Sequence, residues 1–156
     1  MLELAVPGFR RLRLAHLVLD FNGTLAVGGR LLPSVKPRLA WLRRTLRIHV
    51  LTADTFGRAR KELRGVRCEL TILANGGEDR AKAAYVRRLG ASSCACIGNG
   101  RNDRLMLRQA ALGICAMQAE GAATAAFLES DLVVLDICDA LDLLADPSRL
   151  IATLRA

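Results

Sequence analysis

The sequence predicts an α/β fold: a Rossmann-like, doubly wound and mostly parallel sheet in three layers, α/β/α. Three observations carry this. Short apolar runs of strand length alternate with helical stretches of roughly ten residues, which is the pattern of a parallel sheet covered on both faces. At 156 residues and 52% hydrophobic, the chain is the size of one domain with a real core. No repeat, low-complexity segment or linker interrupts the pattern, so residues 1–156 are expected to form one domain.

The elements follow in order. A pair of short strands, Leu2–Val6 and Leu12–Leu14, precedes the first core strand at about Ala15–Phe21. Ser34 is a good N-cap for the next helix, Pro37 is tolerated in its first turn, and Val35, Leu39, Leu42 and Leu46 share a face. Ile48–Leu51 reads as a strand, and Thr55–Leu63 as a helix stopped by Gly65. A strand at Glu69–Leu73 is followed by a helix, Arg80–Leu89, closed by Gly90. Cys94–Ile97 is a strand opening onto Gly98–Asp103, where Asn102 or Asp103 caps the following helix. The remainder predicts a strand Leu112–Cys115, a helix Ala122–Leu128, a strand Leu132–Val134, and helices near Ala140–Leu144 and Ser148–Arg155, the last announced by Asp146-Pro147.

Composition narrows the function classes. No apolar run approaches the roughly 18 residues needed to cross a bilayer, and the first residues lack a cationic start with a long apolar stretch, so a cytoplasmic protein with no membrane partner is expected. The five cysteines are odd in number and sit mostly in apolar strand-like runs, which suits reduced core thiols. Cys94 and Cys96 share a strand face but have no ligand partners for a zinc site, since His16 and His49 lie at unrelated positions. The net charge of +8 is uneven: residues 113–156 hold only 2 basic against 7 acidic groups. The positive remainder suits an anionic, phosphorylated substrate, small or macromolecular. Nucleic acid is disfavoured, because no aromatic residue interleaves with the arginines of Arg58–Arg67.

Four pieces point to phosphoryl chemistry, each at a strand's carboxyl end, where ligands of such sheets bind. Asp20 closes the run His16-Leu-Val-Leu19 and is a candidate nucleophile, a carboxylate held rigid by the sheet. Gly23 and Thr24 follow, the glycine letting the backbone close around an oxyanion. Thr52 ends the second core strand, offering its hydroxyl and the N–H of Ala53 to a phosphoryl oxygen; helix capping is its plainer role. Lys82, one of three lysines, lies in the first turn of a predicted helix, where a cation is unfavourable unless something compensates.

Asp20-Phe-Asn-Gly-Thr24 resembles the phosphate-accepting signature of the haloacid dehalogenase superfamily, and Gly98-Asn-Gly-Arg-Asn-Asp103 resembles its magnesium box. With Leu51-Thr-Ala-Asp54 and Lys82 between them, the order and spacing are similar to the phosphorylation domain of P-type ATPases, as a free-standing protein. The resemblance implies Mg²⁺ held by Asp20, the backbone carbonyl of Asn22, Asp103 and Asn99, and a catalytic set of Asp20, Asn22 and Lys82, with Lys82 also on the phosphate. Only 27 residues separate Thr24 from Thr52, and 29 separate Thr52 from Lys82, so neither a nucleotide-binding domain nor a cap domain fits. Capless relatives leave an open site, which implies a homo-oligomer covering its mouth, with Leu128–Leu144 as a contact or, more plainly, as core.

The chain departs from that pattern at two positions. Asn22 and Asn99 stand where the phosphatases carry aspartates. Loss of a general acid/base costs about 10²–10⁴-fold. The expectation is a slow, Mg²⁺-dependent phosphohydrolase or phosphotransferase working through an aspartyl-phosphate; the alternative is a degenerate phosphate- and metal-binding module with a regulatory or assembly role.

Overall fold

The computed structural model describes residues 1–156. Strands β1 (Leu2–Ala5) and β2 (Arg11–Leu14) form a separate antiparallel hairpin. Then come β3 (His16–Asp20), a small hairpin of β4 (Ala26–Val27) and β5 (Arg30–Leu31), helix α1 (Val35–Leu42), β6 (Arg47–Thr52), a short α2 (Ala59–Glu62) and β7 (Glu69–Ile72). The second half runs α3 (Glu78–Leu89), β8 (Cys94–Gly98), α4 (Arg104–Gln109), β9 (Leu112–Ala116), α5 (Thr124–Leu128), β10 (Leu132–Val134), α6 (Ile137–Ala145) and α7 (Pro147–Leu154).

The predicted α/β architecture is the one observed. Six strands pair in parallel in the order β10-β9-β8-β3-β6-β7, so β3 lies inside the sheet with β6 and β8 as neighbours. Alternate side chains of β3 feed two cores. Leu17 and Leu19 join the larger one with α1, α6 and α7; Val18 joins the smaller one with residues of α3 and α4. The buried β8 and β9 read as continuous apolar runs because helices cover both faces. Cys94, Cys96 and Cys115 pack within this second core, and all five thiols are free. No helix is long and apolar enough to cross a membrane.

Three departures from the predicted elements have local causes. The helix expected from Thr55 is only Ala59–Glu62, because Asp54 adopts a left-handed φ of 51° and its Oδ1 accepts the N–H groups of Arg58 and Ala59, each at 2.9 Å. Asp103 does not cap the helix ahead of it; its carboxylate turns back on the loop behind. The β4–β5 hairpin went unpredicted, since strands of two residues leave no periodic signal. Within Leu128–Leu144 most of the apolar residues are core, while Leu128 and Leu135 are exposed, as are Asp136 and Asp139.

Candidate active site

The parallel sheet brings the separated pieces to one place. Asp20 ends β3, Thr52 ends β6, and Asn99 follows β8, so three adjacent strands deliver them to the same carboxyl edge. Lys82 reaches in from the second turn of α3, which starts at Glu78, earlier than expected. It is fully buried and bridges two carboxylates: Nζ donates to Asp20 Oδ1 and to Asp103 Oδ1, both at 2.6 Å. A lysine with no exposed surface is tolerated only when its charge is paired, and here two anions pair it.

The other oxygen of Asp20 faces Thr24. The Thr24 hydroxyl lies 3.2 Å from Asp20 Oδ2 and 3.3 Å from Asn99 Oδ1, linking the two motifs. The fit is close: Gly23 sits at φ 80°, and a Cβ there would collide with the Asn99 amide. Any larger residue at position 23 would push the two loops apart.

The electrostatics are set by burial. Desolvation raises the Asp20 carboxyl to about 6, with repulsion from Asp103 adding to it and Lys82 and Thr24 opposing it. Burial acts against the Lys82 ammonium, but the Asp103 and Asp20 carboxylates outweigh it and raise its pKa. Lysine is therefore the fixed charge of the site, and the aspartate the group that titrates near neutrality.

Each amide has its own environment. Asn99 Nδ2 donates to the Gly121 carbonyl at 3.0 Å, a contact that a carboxylate cannot make. Asn22 Oδ1 is buried with no hydrogen-bond partner. An orphaned oxygen of this kind costs about 1–3 kcal/mol, which a ligand would relieve. The Asp20 carboxylate, Asn99 Oδ1 and the oxygens of Asn22 are hard donors of the type that Mg²⁺ takes, so the residues present fit such an ion. Asp103 fits the ligand role poorly: Oδ1 is held by Lys82, while Oδ2 accepts the N–H groups of Asn99 at 3.0 Å and Gly100 at 2.8 Å. Its work is to position the lysine and fold the glycine loop.

The backbone N–H groups of the first motif are engaged within their own turn, whereas the Thr52 hydroxyl keeps its O–H free to donate. The Gly23 N–H is spent within its own turn, donating to Ala26 O at 2.8 Å, and the Thr24 N–H points to Phe21 O at 3.3 Å. Thr52 Oγ1 accepts the Asp54 N–H at 2.9 Å and so shapes the loop that carries Ala53. Sequence reasoning missed Gln118, whose Nε2 donates to the carbonyls of Gly23 and Thr24 while its Oε1 accepts the Ile137 N–H at 3.0 Å. It braces the first motif from the loop after β9, and a lone glutamine there belongs to no spacing pattern.

Comparison with known proteins bears on the fold. No protein-family model matches the chain. An uncharacterized protein of Methanocaldococcus jannaschii is 58% identical over 59 residues, a match spanning 38% of this chain and 63% of that protein, less than two thirds of its length. Among solved structures, 3-deoxy-D-manno-octulosonate 8-phosphate phosphatase from Moraxella catarrhalis, in complex with magnesium, phosphate and its sugar acid, superposes with a TM-score of 0.67 at 16% identity, covering 91% of this chain and 94% of that one. A haloacid dehalogenase-superfamily hydrolase of subfamily III A from Legionella pneumophila gives 0.67 at 13% identity, with 90% and 88% covered. A zinc-transporting P-type ATPase gives 0.62 at 20% identity, covering 79% of this chain but 20% of the pump. The six-stranded parallel sheet, its strand order and these superpositions together show that the chain has the fold of the haloacid dehalogenase superfamily, in its capless form.

Proposed function

We propose that the chain is a haloacid dehalogenase-type phosphohydrolase or phosphotransferase in which Asp20 is the nucleophile. The observation that carries this reading is the pair of contacts on the buried Asp20 carboxylate. Lys82 holds Oδ1 at 2.6 Å, while Oδ2, beside the Thr24 hydroxyl, is the oxygen left to attack phosphorus. Oδ2 bonds to phosphorus as the ester P–O bond breaks, giving an aspartyl-phosphate and the freed alcohol or phenol. Water then attacks that phosphorus, releasing phosphate and regenerating the carboxylate. Lys82 stays protonated throughout and balances charge on the transferring group. Mg²⁺, held by Asp20, Asn99 and Asn22 when bound, supplies Lewis-acid neutralisation of the phosphoryl oxygens.

Asn22 cannot hand a proton to the leaving oxygen, so that proton comes from solvent and good leaving groups are favoured. Its amide instead supplies a donor and an acceptor to orient the leaving group or water. The test is phosphate release from an aryl phosphate with and without Mg²⁺: Asp20→Asn is expected to abolish it, and release surviving in that variant sinks the assignment. Beryllium fluoride binding without any turnover in the native protein would instead favour a phosphate-binding regulatory module.

A second copy covering the open mouth completes the proposal. Phe56, Met117 and Leu135 are exposed apolar side chains that follow the carboxyl ends of β6, β9 and β10, where such a contact would bury them. Sedimentation velocity should then show a dimer or larger species that Leu135→Glu shifts toward monomer; a native monomer at all concentrations would refute it.

A further inference from the structure

Between the β4–β5 hairpin and α2, which follow the Asp20 and Thr52 strands in the chain, lies a cleft of about 340 Å³ walled by Arg30, Arg58, Lys61 and Glu62, with no hydrophobic residue in its lining. The three cations are exposed, and the chain's ion pairs engage none of them. One oxygen of the single acid is engaged across the cleft, since Glu62 Oε2 accepts the Leu31 N–H at 2.9 Å, so three cations face one partly occupied carboxylate. An unpaired trio of cations in one concave space is an anion-binding arrangement.

Both walls grow directly out of the candidate site. The hairpin that carries Arg30 starts two residues after Thr24 and is closed by Leu32 N–H donating to Leu25 O at 3.0 Å. The helix that carries Lys61 hangs from Asp54, two residues beyond Thr52, through the Arg58 and Ala59 amides. The walls also touch: a Cβ on Gly29 would meet the Phe56 side chain at 2.9 Å. The left-handed Asp54 fixes this arrangement with a backbone conformation that a non-glycine residue adopts only when its surroundings enforce it.

We propose that this cleft binds a second anionic group of the substrate, so that the substrate is a phosphate monoester whose non-transferred part carries a carboxylate or a further phosphate. The proposal rests on the phosphoryl-transfer reading of Asp20. Lys82 serves the transferring phosphoryl group, and Arg30, Arg58 and Lys61 select what that group is attached to. Because all three are exposed, replacing them leaves the core untouched.

The experiment measures binding of alkyl phosphates, ω-carboxyalkyl phosphates and α,ω-alkyl bisphosphates of increasing chain length, by calorimetry, to the native protein, to Asp20→Asn and to the triple variant R30Q/R58Q/K61Q. At the best chain length the native protein should prefer an anionic tail over the alkyl ester by about tenfold or more, as charge-assisted contacts imply, and the triple variant should lose that preference. The carboxylate and bisphosphate arms tell the two tail chemistries apart. A second variant, R43Q/R47Q/R67Q, removes the same charge from a cleft at the amino ends of β6 and β7 and should keep the preference, separating a local site from a general field. No tail preference at any length, or an equal loss in both triple variants, overturns the proposal. Tail-dependent binding without phosphate release from any ester would retain the cleft and defeat only the catalytic reading.

Discussion

Asn22 and Asn99 both replace acids of the family pattern, yet their surroundings ask different things of them. The Asn99 amide is written into the loop by its donation to Gly121 O. In metal-free protein, Asn99→Asp should therefore destabilise the fold by about 1–3 kcal/mol, since it sets a carboxylate against a carbonyl; urea unfolding measures it. Asn22 Oδ1 has no partner to lose, so Asn22→Asp should be tolerated and should raise aryl phosphate turnover by about 10²-fold or more through a restored proton donor. An unchanged rate would remove residue 22 from the acid/base position.

Asp20 gives a second, pH-dependent pair of outcomes. Its carboxyl, raised to about 6 by burial and by Asp103, must be ionised to attack, so turnover should fall as pH drops through about 6. The stability sign is opposite. Because the folded state binds this proton more tightly than the unfolded chain, the ionised carboxylate costs stability at pH above about 6, and the cost is relieved toward pH 4. Metal-free Asp20→Asn should therefore melt above the native protein at pH 8, by on the order of 3 kcal/mol, with the gap narrowing through pH 5 and closing near pH 4.

At the scale of the element, α3 does more than cover the sheet. It delivers Lys82 to the carboxyl edge and, one turn on, Tyr85, whose hydroxyl lies 3.0 Å from His49 Nδ1 in a buried chain ending at His16. The closing glycine, Gly90, made this helix legible. The depth of Lys82 was not legible, because burial of a lysine depends on two carboxylates 62 and 21 residues away. Lys82→Met should cost about 3–5 kcal/mol at pH 8 by leaving those carboxylates uncompensated; denaturant melts read the loss, and a variant as stable as the native protein would contradict the pairing. The loop after β6 shows the reverse limit: a helical pattern from Thr55 is overridden by one left-handed aspartate, a conformation no residue count announces.

Across the whole molecule, the parallel sheet separates two ends with different work. The parallel sheet and the carboxyl-edge placement of Asp20, Thr52 and Asn99 could be read from the alternation of elements and the motif spacing, since ligands of a doubly wound sheet sit at that edge. What long-range contact alone decides could not be read: Gln118 bracing the first motif, Gly121 fixing Asn99, and two loops meeting at Phe56 and Gly29 to enclose a cationic cleft.

The buried lysine also makes the site observable without a substrate assay. An ammonium sealed from water and clamped at 2.6 Å between two carboxylates exchanges its protons slowly. With only three lysines in the chain, its side-chain nitrogen resonance can be assigned by substituting the other two, Lys36 and Lys61. That single resonance would move whenever the Asp20 carboxylate is esterified, giving a direct clock for how long the phosphorylated state lives.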